Sequence, residues 1–361
     1  MTIEWLAGNR LRGTTAERPV SGLTAPSVGG WVELARTTLG SAGDTISVGS
    51  LADKRYLMFL CDTLNTGGST QPRIRGGNST VDTGSNYSQR MQRNGAADAT
   101  GTSDQSTYLY DADNSPQFMV GYYANLSAKE KLGLGHTVVQ STAGAGTAPL
   151  RQETVWKHAF TSNPYDVISI NNIYGTGDFN TGSELVVLGW DPADSHTTNF
   201  WEELASVDLS GGAADNLSSG TFTAKKYLWV QGYFNGSGAA VANVQFNGDT
   251  SGNYAQRHSL NGASDVTSTS RTNLESYSAA NIASGTGQFI NLFIINNSAN
   301  EKLIIGHISK EGTAGAGTAP NRSELAWKWA NTSAQITSIN FVNTDTGDLG
   351  TTSSLKVWGS D

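Results

Sequence analysis

The sequence predicts an all-β protein made of two tandem, duplicated antiparallel β-sandwiches of jelly-roll type, preceded by an N-terminal arm. Composition gives the first reason: of 361 residues 42 are glycine, 15% are charged and 37% are hydrophobic, with Ser, Thr and Asn filling much of the remainder. Helical bundles draw far more on Glu, Lys, Leu and Ala. The second reason is periodicity. Apolar residues alternate over short runs such as Thr45-Ile46-Ser47-Val48, Val167-Ile168-Ser169-Ile170 and Phe289 to Ile294, as half-buried strands do. The third is an internal repeat. Glu130–Lys157 and Glu301–Lys328 are identical at 17 of 28 aligned positions. Outlying pairs (Trp31-Val32-Glu33-Leu34-Ala35 with Trp201-Glu202-Glu203-Leu204-Ala205, Lys54–Leu57 with Lys225–Leu228, Asn86–Arg90 with Asn253–Arg257) keep offsets between 167 and 171. Small changes of offset over that distance are loop insertions on a shared scaffold.

Taken in order, residues 1–30 form an unduplicated arm, 31–191 the first sandwich, 192–200 a short polar linker and 201–361 the second sandwich. Each copy is long enough to bury its own core, unlike a solenoid repeat of roughly 20 to 50 residues. Eight to ten strands per copy are expected, a number that suits a two-sheet jelly roll better than a seven-stranded immunoglobulin domain. The continuous run Leu185-Val186-Val187-Leu188 reads as a central strand covered on both faces. Only Ser127–Lys131 looks helical. The arm carries Ile3, Trp5, Leu6 and Leu11 with Arg10 and Arg12. These are apolar and basic residues with little sequence around them to bury against, so the arm is expected to dock on a partner.

Several function classes are disfavoured. Twenty-three basic residues against 31 acidic ones, a net charge of −8, argue against a nucleic-acid binder. One cysteine, Cys61 in an apolar run, excludes an intrachain disulfide and a cysteine-rich metal site. Met1–Ala7 has an early carboxylate and no basic start, and no apolar run approaches the ~18 residues of a membrane span, so neither a secretory signal nor a membrane partner is expected. Thr142–Pro149 and its copy Thr313–Pro320 are Gly-rich but lack the Lys-Ser/Thr of a phosphate loop, and read as strand connections.

His136 is duplicated as His307, Glu153 as Glu324 and Asp178 as Asp348. A site built of these residues would be present twice. With five histidines and no nucleophile elbow or His-Glu zinc motif, no enzyme and no cofactor are expected. Asp111, Asp113 and Asn114 offer clustered oxygens for calcium, without a counterpart in the second copy. Six of nine tryptophans pair by sequence: Trp31 with Trp201, Trp156 with Trp327, and Trp190 with Trp358, as core residues should. Trp229 and Trp329 stand where the first copy has Met58 and His158, which marks them as candidate contacts between domains or subunits.

The opening Trp5-Leu6-Ala7-Gly8-Asn9-Arg10-Leu11-Arg12-Gly13-Thr14-Thr15-Ala16-Glu17-Arg18-Pro19, and the run from Gly30-Trp31 to Thr45-Ile46, resemble structural proteins of tailed phages and other aquatic prokaryotic viruses. The resemblance implies a virion component with jelly-roll-like domains, assembled in the host cytoplasm, and supplies no functional residues. Gene-duplicated sandwiches with polar faces and almost no cysteine suit that role, and exposed sheet edges are commonly covered by symmetric assembly. The expected function is a capsid-surface or decoration protein. Its expected partners are its own copies, a trimer favoured, other virion proteins and host-surface glycans. A tail fibre or spike and a double-jelly-roll major capsid protein are alternatives. The competing class is a pair of carbohydrate-binding modules, which requires duplicated aromatic residues along an exposed groove.

Overall fold

The computed structural model describes residues 30–361 apart from 112, 174–175, 193, 195–197, 277–281 and 314. The arm residues Ile3, Trp5, Leu6, Arg10, Leu11 and Arg12 lie outside the described residues. The first copy contributes β1 (Val32–Thr38), β2 (Thr45–Val48), β3 (Tyr56–Thr63), β4 (Pro72–Asn78), β5 (Thr80–Val81), β6 (Tyr87–Arg93), β7 (Ala99–Asp104), β8 (Thr107–Tyr108), β9 (Gln117–Ala124), β10 (Lys131–Val139), β11 (Leu150–His158), β12 (Val167–Asn172) and β13 (Glu184–Trp190). The second contributes β14 (Glu202–Asp208), β15 (Asn216–Ser218), β16 (Tyr227–Ser237), β17 (Asn243–Phe246), β18 (Tyr254–Leu260), β19 (Val266–Arg271), β20 (Gly287–Ile295), β21 (Lys302–Lys310), β22 (Asn321–Trp329), β23 (Ile339–Val342), β24 (Asp348–Leu349) and β25 (Ser354–Ser360). Both copies exceed the expected strand number, partly through two-residue strands such as β5, β8 and β24. No helix occurs among the described residues. Ser127 and Ala128 form a turn, Ala128 at a φ of 57°, so the helical reading of Ser127–Lys131 is corrected: a left-handed residue there turns the chain from β9 into β10.

Each copy pairs a large sheet with a small one, in matching order. The large sheets run β1-β13-β3-β9-β10-β11-β6-β7 and β14-β25-β16-β20-β21-β22-β18-β19, and the small sheets contain β2-β12-β4 and β15-β23-β17. The chain alternates between sheets over its first four strands and again over its last three, so the pairs β1–β13 and β2–β12 nest as in a jelly roll. Ile46, Leu57, Phe59, Cys61, Trp156, Ile168, Leu185 and Val187 fill the space between the sheets of the first copy. Leu228, Val230, Phe246, Trp327, Trp329, Ile339 and Val357 do so in the second.

A third core lies between the copies. Met58, Leu60, Phe118, Val120, Val138, Val186 and Leu188 of the first large sheet pack on Tyr227, Phe293, Ile295, Leu303, Ile305, Ala326 and Trp358 of the second. The layers therefore stack as small, large, large, small. This explains why Leu185–Leu188 of β13 and much of β3 are apolar at successive positions. Leu185 and Val187 point to the small sheet while Val186 and Leu188 point to the other copy.

Strand register also corrects one tryptophan pairing. Tyr56 lies opposite Trp190 in the first copy, whereas its equivalent Tyr227 lies opposite Ser360 in the second. Trp358 thus occupies the position of Leu188, packed in the seam between copies, and Trp190 stacks on Tyr56 with ring centroids 5.5 Å apart.

Candidate functional site

The seam is fastened by polar groups that the duplication alone would not show. Glu184, almost fully buried, accepts hydrogen bonds from Tyr227 Oη (2.8 Å) and Lys226 Nζ (3.0 Å) of the other copy. Burial pushes the Glu184 carboxyl up, but hydrogen bonds from Thr38, Lys226 and Tyr227 outweigh it and hold the group below the usual range. Asn297 Nδ2 donates to Asp62 Oδ2 at 2.6 Å. The Gly-rich connection of the first copy is part of the same contact. Lys328 Nζ donates to the carbonyls of Gln140 (3.1 Å) and Thr142 (2.7 Å), Gly144 N donates to Glu301, and Ser270 N donates to Ala145 O (2.8 Å). Gly144 takes a φ of +87°, which a side chain would strain. The equivalent stretch in the second copy is largely exposed.

Cross-strand register sets two rows of side chains on the outer face of each large sheet. In the first copy one row is Met58, Tyr122, Leu134, Val155 and Arg90; its equivalent is Trp229, Phe293, Ile305, Ala326 and Arg257. The second-copy row is covered by the docking, with Ile305 4% and Ala326 1% exposed. In the first copy, Leu134 is 46% and Val155 51% exposed, and Leu132, the equivalent of Leu303, is 56% exposed. The two large sheets are therefore staggered, and one end of the first is left as an open apolar face. The converse end of the second sheet is more polar. The covered Leu60, Val120, Val138 and Val186 are matched there by Gln231, Asn291, Ser309 and Lys356.

The next row crosses the seam. His136 lies opposite Glu153, and His307 opposite Glu324. The stagger brings the two histidines together, ring centroids 4.3 Å apart and planes at 78°. The expectation of a site present twice is thereby corrected: the duplicated residues converge on one composite site, because equivalent strands β10 and β21 face each other. One ligand atom from each of His136, Glu153 and His307 lies within 4.8 Å of the others. His136 Nδ1 is 3.9 Å from Glu153 Oε1, too far for a hydrogen bond. Arg151 Nη1 reaches Glu153 Oε1 at 3.2 Å and holds Asp265 of the other copy through Nε (3.1 and 3.0 Å) and Nη2 (2.7 Å). Glu324 is buried, ion-paired with Arg322 through Oε1, and its Oε2 has no hydrogen-bond partner among the described residues.

Burial, then the neighbouring His307 and Arg151, drives the His136 pKa well down, and burial with Arg151 and Arg322 takes His307 to about 4. Both imidazoles are neutral at pH 7, with lone pairs available. Burial and the charge of Glu324 push Glu153 up to about 7. A cleft of about 180 Å³ bounded by Arg90, Asp98, Leu134, His136, Glu153 and Val155 opens the cluster to solvent beside the apolar face.

Other expected site residues lie elsewhere. Asp111 accepts from Gln71 Nε2 (2.8 Å) and pairs with Arg93, Asp113 accepts from Ser115 N (2.9 Å), and Asn114 is exposed. The oxygens of Asp111 and Asp113 thus serve separate protein donors. Trp229 does stand at the seam, packed among Trp201, Phe293 and Trp358. Trp329 does not: it is buried in the second core, its Nε1 donating to Asp249 (2.8 Å), because alternation along β22 places it on the inner face with Trp327. Asp178 lies in a loop and Asp348 in the two-residue strand β24, away from both rows.

The class defined so far is a tandem β-sandwich protein with an inter-sandwich core. No protein-family model matches the sequence, and no curated protein matches it. Among solved structures it is similar to mouse laminin alpha1 chain domains LG4-5, with 10% identity over 94% of this chain and 93% of that chain, at a TM-score of 0.20. The LG1-3 region of the laminin alpha2 chain gives 9% identity over 88% of this chain and 64% of that chain, at a TM-score of 0.22. The chain spans under two thirds of the latter. Neither likeness extends to a ligand or a partner. No helix among the described residues is long and apolar enough to cross a membrane.

Proposed function

We propose that the chain is a structural component of a virion that self-associates through the open apolar face of its first copy. One observation carries the assembly reading: Leu132, Leu134 and Val155 are about half exposed at the positions where the second copy buries Leu303, Ile305 and Ala326 in docking. A sheet face that serves as an interface in one copy remains apolar and uncovered in the other. The occupant is a second copy of the chain, since the open face continues directly from the established seam. The complementary half-face of the second copy is more polar, so the contact is isologous, face on matching face. The virion assignment rests on the resemblance of the N-terminal segments. The glycan-binding alternative required duplicated aromatics along a groove. Trp156, Trp327, Trp201 and Trp358 are instead buried in cores.

Light scattering of the full chain tests the proposal. The wild type is expected to run above the 38.1 kDa of one chain, and Leu134→Glu to return it to that mass. A wild type that stays monomeric at tens of micromolar refutes self-association.

A further inference from the structure

We propose that His136, His307 and Glu153, with Glu324 as a further oxygen donor, form a site for one divalent transition-metal ion of the zinc type, bridging the two copies. The donor set is the first argument. Two imidazoles and carboxylate oxygens are what zinc and its neighbours prefer, whereas calcium and magnesium take oxygen alone. Geometry is the second. Ligands about 2.1 Å from a tetrahedral ion stand about 3.4 Å apart. The three ligand atoms already lie within 4.8 Å of one another, so each moves about an ångström or less to close on an ion.

Third, strand register fixes the cluster. Each histidine stands directly across a ladder from its glutamate, and the docking of β10 on β21 sets the two pairs face to face. Fourth, Glu324 is buried with Oε2 unpartnered among the described residues, an arrangement that costs free energy unless a cation or donor occupies the space before it. The cleft beside His136 gives the ion a route in.

A site with one histidine from each copy does not exist in either copy alone. Binding therefore couples to the docked arrangement, and the ion acts as a clasp on the seam.

The test uses the full chain stripped with a chelator. Calorimetric titration with zinc is expected to show one ion per chain, and cobalt loading to give the visible absorption of a four-coordinate nitrogen–oxygen site. His136→Gln and His307→Gln are each expected to weaken zinc binding at least tenfold, and zinc to raise the thermal midpoint of the wild type but not of these variants. The wild-type titration and cobalt spectrum stand even if a variant fails to fold. Absence of saturable zinc binding by the stripped wild type overturns the proposal, as does unchanged affinity in both folded variants.

Discussion

Replacing Asp62 by Asn is expected to stabilise the protein at neutral pH and to remove a pH dependence that the wild type carries. Asp62 lies near the end of β3, 2% exposed, at the seam between the copies. Burial pushes its pKa from 3.8 to about 6; Lys226 and the hydrogen bond from Asn297 pull the other way, and Glu184 adds to the rise. The folded-state pKa exceeds the unfolded one, so this group's contribution is fully present below pH 3.8 and is lost as the pH rises through 6. A rise of about two units, at about 1.4 kcal/mol each, amounts to about 3 kcal/mol. Asn has nearly the same shape, keeps an acceptor for Asn297 and has no charge to desolvate. Urea unfolding followed by tryptophan fluorescence at pH 4, 5, 6 and 7 measures both proteins. The stability gap in favour of the Asp62→Asn variant should widen by about 2.4 kcal/mol between pH 4 and 7, most of it between pH 4 and 6, the window between the two pKa values. Taking the difference at each pH cancels the other titrating groups. A gap that stays constant over this range would refute the reasoning, because it would mean that the carboxylate is not desolvated at the seam.

Glu184→Ala is the opposite case. It strips the buried partner from Tyr227, Lys226 and Arg36, and should cost about 3 to 5 kcal/mol near pH 7. Because the folded pKa of Glu184 is depressed, the deficit should shrink as the pH falls through the acid range, and a deficit independent of pH would contradict the assignment. Gly133→Ala tests the packing of Trp156: a Cβ at residue 133 would stand 2.2 Å from the indole Cε2, so overpacking of about 1 to 3 kcal/mol is expected as a lower urea midpoint. An unchanged midpoint would show that the indole has room to shift.

Much of the architecture was legible in the sequence. Alternation and glycine content point to strands, the repeat gives the two sandwiches, and the unbroken apolar run in β13 marks a strand covered on both faces. What covers its outer face was less accessible. A buried strand reads alike whether its neighbour is a helix, a sheet or the other half of the gene product. The composite histidine cluster was hidden for the same reason. His136 and His307 are 171 residues apart, and a duplication read along the chain assigns each to its own copy. The tryptophan pairing of residues 190 and 358 failed over two residues, although aligning Gly189 with Gly359 and Asp191 with Asp361 gives the register that the strands adopt. Trp329 looked like a contact residue because His158 stands in its place, yet both side chains are buried and bonded to an aspartate, Asp249 and Asp82 respectively. A histidine and an indole can perform the same hydrogen-bonding task, which substitution patterns between two copies do not reveal.

The seam joins surfaces that belong to one chain. Only 11 residues separate the end of β13 at Trp190 from the start of β14 at Glu202. A tether of that length holds one sheet face near the other at an effective concentration on the millimolar scale. An interface of modest intrinsic affinity is saturated under those conditions at any dilution. The self-association proposed for the open face of the first copy has no such tether, so its occupancy would rise and fall with the number of chains present. The molecule thus carries one joint that is permanent, and the one proposed on its other half-face would respond to supply.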